Sequence, residues 1–355
     1  MSETTTWYRQ RAASTSETAE AAARARQGRL TKPAGALGRL EDLAIRLAGM
    51  QGLERPAADK VQISVFAADH GIAAAGVSAF PQSVTAAMVG NMAAGGAAIS
   101  VLAEQIGATV ELIAVGVLDP IPEHPCIRNE TIARGTADLS QTAAMTSSEL
   151  EQALASGRAA ALRAAERGAD LFIGGEMGIG NTTAATALAC AMLGRPAADL
   201  VGPGTGLDAD GVERKRRLID RALALHRLEP EDTISPIRAL AQVGGLEIAA
   251  LAGAFCACAQ QGIPVLVDGF IASSAALAAT RLCPGAERWL ILSHASAEPG
   301  HRLLTEALGQ RPLLDLGMRL GEGSGAAVAV PLLRLACALH NDMATFAEAG
   351  VASCG

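Results

Sequence analysis

The chain reads as a doubly wound α/β protein, a parallel sheet covered on both faces, with a second, smaller helical domain built from the two chain termini. Three observations predict this. Short continuous apolar runs recur from residue 61 onward, Ala- and Leu-rich helical stretches separate them, and polar or Gly-rich segments follow most of the runs. A strand that is apolar at every position is buried on both faces, and strands of that kind joined by helical crossovers belong to parallel sheets.

The strand candidates are 61–68 (VQISVFAA), 109–116 (TVELIAVG), 170–174 (DLFIG), 263–267 (IPVLV) and 289–292 (WLIL). Helical stretches lie at 82–107, 147–168, 181–193, 211–227, 245–261 and 270–282. Before the first strand, residues 15–50 give two helices separated by Leu30–Gly35, with Leu37, Leu40, Leu43, Leu47 and Met50 at helical spacing. After the last strand, 324–348 returns to helix. The expected division is 1–60 plus 310–355 as the small domain and 61–309 as the large one. Open sheets of this kind hold ligands beyond the carboxyl ends of their strands, so the active site is expected there.

Half of the 355 residues are apolar and only 3% aromatic, so small and branched side chains must fill the core. A net charge of −7 argues against a nucleic-acid or anionic-membrane partner. The seven cysteines are scattered without a CxxC pair, as expected of buried reduced thiols in a cytoplasmic protein. The opening MSETTTWYRQRAASTSE has no apolar secretory core. The longest apolar runs are interrupted by polar groups before the ~20 residues of a membrane span.

Three Gly-rich segments carry the candidate chemistry. FIGGEMGIGNTT (172–183) leads into a clear helix, and its glycines and helix N-terminus suit an anion. Its spacing approaches a phosphate-binding loop of the NTPase kind, but Asn181 stands where the lysine is needed. The plainer reading is a tight strand-to-helix turn. VGPGTG (201–206) is followed by ERKRR (213–217), which is either a solvated helix face or, through the rare Lys215, a cation for an anionic substrate. LGMRLGEGSGAA (316–327) sets one carboxylate between glycines before the last helix. From spacing alone Glu322 is equally a helix N-terminal charge or a base presented to a pocket. The six histidines show no zinc-binding spacing, and no GxSxG elbow is present.

Together and in this order, these segments closely resemble the nicotinate-nucleotide–dimethylbenzimidazole phosphoribosyltransferases, a family of cobalamin nucleotide-loop assembly. The resemblance also runs through TKPAGALGRLEDLA (31–44), residues 67–99, QVGGLEIAALAGA (242–254), PVLVDGFIASSAAL (264–277) and SHASAEPGH (293–301). It implies a Rossmann-like large domain, a homodimer, and neither metal nor bound cofactor. By motif it implies that Glu322 is the catalytic base and Glu176 a second active-site acid. Phosphate and ribose would fall to Gly175, Gly178, Gly180, Asn181, Thr182, Gly202, Gly204, Lys215 and Ser293. The benzimidazole would fall to Ser78, Phe80, Met88, Met318 and Leu320. This chain departs from the family pattern at Pro203, often Arg, and at Ala87 and Met88, where a polar amide is usual. The substrates so implied are nicotinate mononucleotide and dimethylbenzimidazole. Two rivals remain: a dinucleotide-dependent oxidoreductase, which lacks its GxGxxG fingerprint here, and a non-catalytic nucleotide-binding protein, which has no use for Glu322.

Overall fold

The computed structural model describes residues 7–228 and 234–352. The first six and last three residues of the expected small domain, Cys354 among them, lie outside the described residues. The sheet has six strands: β1 (Val61–Ala68), β2 (Thr109–Gly116), β3 (Ile127–Asn129), β4 (Leu171–Met177), β5 (Val265–Val267) and β6 (Leu290–Leu292). Every pairing is parallel, and the spatial order is β3-β2-β1-β4-β5-β6. β1, β5 and β6 are buried at every position; β5 and β6 are wholly apolar, and the two polar residues of β1, Gln62 and Ser64, are hydrogen-bonded to Arg167 and Glu111. β3 is absent from the strand candidates because its three residues, Ile-Arg-Asn, form a half-exposed edge with no apolar run.

The crossovers are α3 (Ser83–Ala93), α4 (Ala98–Ile106), α5 (Ser147–Glu166), α6 (Asn181–Leu193), α7 (Ala209–Leu225), α8 (Pro236–Val243), α9 (Leu246–Gln261) and α10 (Phe270–Leu282), numbered after α1 (Glu17–Gln27) and α2 (Arg39–Gln51). α9 is buried nearly all round, which explains why Cys256 and Cys258, on different faces, are both fully buried. The expected single helix 82–107 is two. The apolar stretch Ser83–Ile106 reaches the length and hydropathy of a membrane span, which no run was expected to do. The chain breaks at 94–97, around Gly95 and Gly96, leaving helices of 11 and 9 residues. Neither is long enough to cross a bilayer core of ~30 Å.

After β6 come α11 (His301–Ala307), α12 (Ser324–Asp342) and α13 (Phe346–Ala349). α12 joins the chain ends: the buried Arg26 of α1 donates to the carbonyls of His340 and Asn341. Ala23, Ile45 and Ala48 make a small apolar cluster between α1 and α2. Leu43, Leu47 and Met50 join the main core instead. Residues 7–13, grouped above with the terminal helices, run along α9 and the end of α10. There Trp289 donates to the Ala13 carbonyl at 2.8 Å, and the Ala12 N–H to that of Pro284 at 3.0 Å.

Candidate active site

The strand order reverses between β1 and β4, and a crevice must open where crossovers leave in opposite directions. The carboxyl ends meeting there carry Asp69–His70 after β1, Glu176–Met177 in β4, Asp268–Gly269 after β5 and Ser293–His294 after β6. A pocket of about 260 Å³ lies over them, walled by Glu176, Asp268, His294 and Glu298, by the first turns of α6 and α10, and by Thr205, Arg319 and Leu320.

The Gly321-Glu322-Gly323 turn closes one side. All three residues have positive φ, +94°, +64° and +87°. A non-glycine residue pays steric strain in that region, and strain of this sort persists only where the surroundings enforce it. The enforcement is visible. Glu322 N–H donates to the Glu176 carbonyl, the Glu322 carboxylate accepts the Ile99 N–H at 3.2 Å, and Asp268 accepts from Ala326 in the first turn of α12. The turn also lies hard against Gly175, where a Cβ would stand 2.3 Å from the Glu322 carbonyl oxygen.

Two of the site's carboxylates are the acids expected from the motifs. Glu176 is 5% exposed and takes a short hydrogen bond from Asn181. Burial, then the charges of Glu247 and Asp268, push its carboxyl well above the usual range, against that hydrogen bond. Glu322 is raised as well, by burial first and by Asp268, while the Ile99 N–H holds it down. Both shifts are upward, and the larger falls on Glu176.

The basic run 213–217 splits. Arg216 and Arg217 pair with Glu213 at 2.7 and 2.9 Å on the outer face, as a solvated helix would. Lys215 turns inward, fully buried, and donates to Thr182 Oγ1 at 2.9 Å and the Gly202 carbonyl at 3.2 Å. It therefore ties the α6 terminus to the 202–206 loop. Burial lowers its pKa from 10.5 to about 8, opposed by Glu298. Between those values the unfolded chain holds a proton that the folded chain has released, so this group makes stability rise with pH through that window. The full shift corresponds to roughly 3 kcal/mol. Denaturant unfolding should show the wild type gaining about 2–3 kcal/mol on Lys215→Met between pH 7 and 10. A flat difference would mean that Lys215 stays charged when folded.

Of the residues expected at the site, Glu176, Gly178, Asn181, Thr182, Gly204, Phe80 and Leu320 line this pocket. Glu322 stands beside it on the turn, its carboxylate directed to the start of α4. Ser78 is one contact away, sharing a hydrogen bond with Thr205. Gly175, Gly180, Gly202, Lys215 and Ser293 lie behind the wall. Gly175 makes room for the turn, and Gly180 packs on His70 and Ala73. Ser293 is fully buried with no partner for its hydroxyl. Met88 and Met318 are half-buried and off the lining. Roles for Asp268, Glu298, Arg319 and the α10 N-terminus were not anticipated. For Asp268, Glu298 and the α10 N-terminus the available signal was their position just past β5 and β6. Among the described residues no group of three or more His, Cys, Asp or Glu side chains gathers to hold a metal ion.

Comparison with known proteins places these features in a family. A phosphoribosyltransferase family model matches residues 12–351. The nicotinate-nucleotide–dimethylbenzimidazole phosphoribosyltransferase of Pseudomonas putida strain W619 is 58% identical over 347 residues, 98% of each chain. The enzyme of that name from Pseudomonas aeruginosa PAO1 is 58% identical over 92% of each chain. Among solved structures, the enzyme of the same name from Thermus thermophilus superposes with a TM-score of 0.90 at 47% identity, covering 96% of this chain and all of that one.

Proposed function

This chain belongs to the nicotinate-nucleotide–dimethylbenzimidazole phosphoribosyltransferase family, and from that premise we propose that it moves ribose 5-phosphate from nicotinate mononucleotide to the benzimidazole, releasing nicotinate and α-ribazole 5′-phosphate. The observation that carries this reading is the Glu322 turn. A strained backbone presents a carboxylate beside a pocket at the switch point, hydrogen-bonded through its N–H to the carbonyl of a second acid on the pocket wall.

The chemistry requires little more. The pyridinium of nicotinate mononucleotide leaves as a neutral ring, so the departing nitrogen needs no acid. The incoming benzimidazole attacks C1′ through one nitrogen and must lose the proton on the other. Glu322 takes that proton, a contribution of roughly 10²–10⁴-fold. Holding both rings about C1′ makes the attack effectively unimolecular, the larger effect. Displacement from the opposite face turns the β-nucleotide into an α-nucleotide. Glu176, on the pocket wall, stabilises the positive charge that develops on the reacting ribose. Incubation with both substrates, followed by mass spectrometry, should show nicotinate and α-ribazole phosphate in equal amounts. Neither product would mean that the activity has been lost from this chain.

The apolar surface of α3 and α4, with Val101 50% exposed and Phe80 52% exposed at the pocket mouth, suits burial against a second copy. We assign a homodimer on that ground, testable by sedimentation. Phe80 and Leu320, the expected base-site residues that line the pocket, supply no side-chain hydrogen-bond donor, so the base site should tolerate related rings. We expect unsubstituted benzimidazole to be used within about 10–200-fold of the dimethyl form in kcat/KM. Strict rejection in a competition assay would contradict this.

A further inference from the structure

The mechanism gives no role to Glu298, one of the carboxylates on the pocket wall. Glu298, in the loop after β6, is 6% exposed and lines the pocket. Its Oε1 accepts the Gly204 N–H at 3.1 Å. Its Oε2 lies so close to Gly202 that a Cβ there would stand 2.1 Å away, and among the described residues it accepts no hydrogen bond. The loop it holds is clamped on its other side as well. Lys215 donates to the Gly202 carbonyl at 3.2 Å, and Arg319 to the Gly204 carbonyl at 2.7 Å.

This geometry changes what the 202–206 loop can recognise. A glycine loop binds phosphate through free backbone N–H groups. Here the Gly204 N–H is already taken, and the group taking it brings a negative charge to the pocket wall. A phosphate finds no free donor at that N–H. A hydroxyl needs none: it donates one hydrogen bond to a carboxylate oxygen, the way acidic side chains hold ribose in dinucleotide sites. The phosphate is left to the α6 N-terminus, where Asn181 and Thr182 line the same pocket.

We infer that Glu298 is the ribose-recognising residue of this enzyme, its Oε2 accepting from the 2′,3′-diol of the nucleotide while Oε1 holds the loop. This deepens the function proposed above and rests on it. The substrate class it selects is ribonucleotides over deoxyribonucleotides. A deoxy substrate would leave a buried carboxylate oxygen without a donor, and sites built around a substrate hydroxyl reject its absence strongly.

The test is the ratio of kcat/KM for nicotinate mononucleotide to that for its 2′-deoxy and 3′-deoxy analogues, taking the larger ratio. In the wild type this should be on the order of 10²–10⁴. In Glu298→Ala it should fall to within about tenfold of unity, whatever happens to the absolute rate. Glu298→Gln keeps the shape that packs on Gly202, but its one carbonyl oxygen must serve both Gly204 and the ribose, so its ratio should drop at least tenfold. A purely structural clamp would slow ribo and deoxy substrates equally. Ratios unchanged in both variants, or a wild type indifferent to the missing hydroxyls, overturn the assignment while leaving the transferase reading intact. A wild type that makes no α-ribazole phosphate from the ribonucleotide overturns both.

Discussion

Glu322→Gln should fold, bind both substrates and lose roughly 10²–10⁴-fold in kcat. Glutamine has the same size, and its amide oxygen can still accept the Ile99 N–H that the carboxylate accepts at 3.2 Å. It suffers the same backbone strain at φ +64°, since neither residue is glycine, so the turn has no new reason to rearrange. What glutamine cannot do at neutral pH is take the proton from the benzimidazole nitrogen. The loss therefore falls on kcat, with KM little changed, because the interaction removed exists only as the reaction proceeds. Glu176→Gln should cost less, since Glu176 stabilises charge rather than taking the proton, and an amide preserves much of its hydrogen bonding. Were Glu322 only a charge at the start of α12, the change would cost about 0.3–1 kcal/mol of stability and leave turnover near normal. Thermal melts and steady-state rates on one preparation separate the two outcomes.

The buried strands, the crossover helices and the edge that holds the site were legible because each rests on a local, repeated pattern. VQISVFAA cannot tolerate water on either face, and it forms the buried β1. The break between α3 and α4 was also written in the chain, as Gly95-Gly96, but the apolar residues on both sides run on at helical spacing and mask it. β3 left no such trace: three residues at an edge are held by pairing with β2, not by their own hydrophobicity. In the site, Glu322 and Glu176 were reached through motifs, whereas Glu298 and Asp268 were not assigned roles. A single acid in a polar loop reads the same whether it faces solvent or a pocket. Only the strand order, which brings the ends of β4, β5 and β6 side by side, decides between them. The conformation of Glu322 was equally hidden, because flanking glycines permit a left-handed turn without requiring one.

Gly175 marks where a motif reading and the structure part. In sequence it is a glycine of an anion-binding loop; in the fold it lies behind the pocket wall, its Cα pressed against the Gly321–Gly323 turn. Gly175→Ala would place a methyl group 2.3 Å from the Glu322 carbonyl oxygen, 2.5 Å from its carbon and 2.8 Å from the Gly323 nitrogen. These are backbone atoms, so no side chain can rotate away to relieve the contact. β4 cannot retreat, since β1 and β5 pair with it on either side. The turn must move instead, carrying Glu322 with it and straining the hydrogen bond from its N–H to the Glu176 carbonyl. A displacement of about 1 Å in a reacting group costs on the order of 10²-fold. Overpacking of this kind costs about 1–3 kcal/mol in stability. We expect Gly175→Ala to remain folded with a lowered melting temperature and to lose about 10²-fold in kcat, with KM for nicotinate mononucleotide changing far less. Were Gly175 instead a phosphate contact, its substitution would raise KM for the mononucleotide and leave the maximal rate nearly intact.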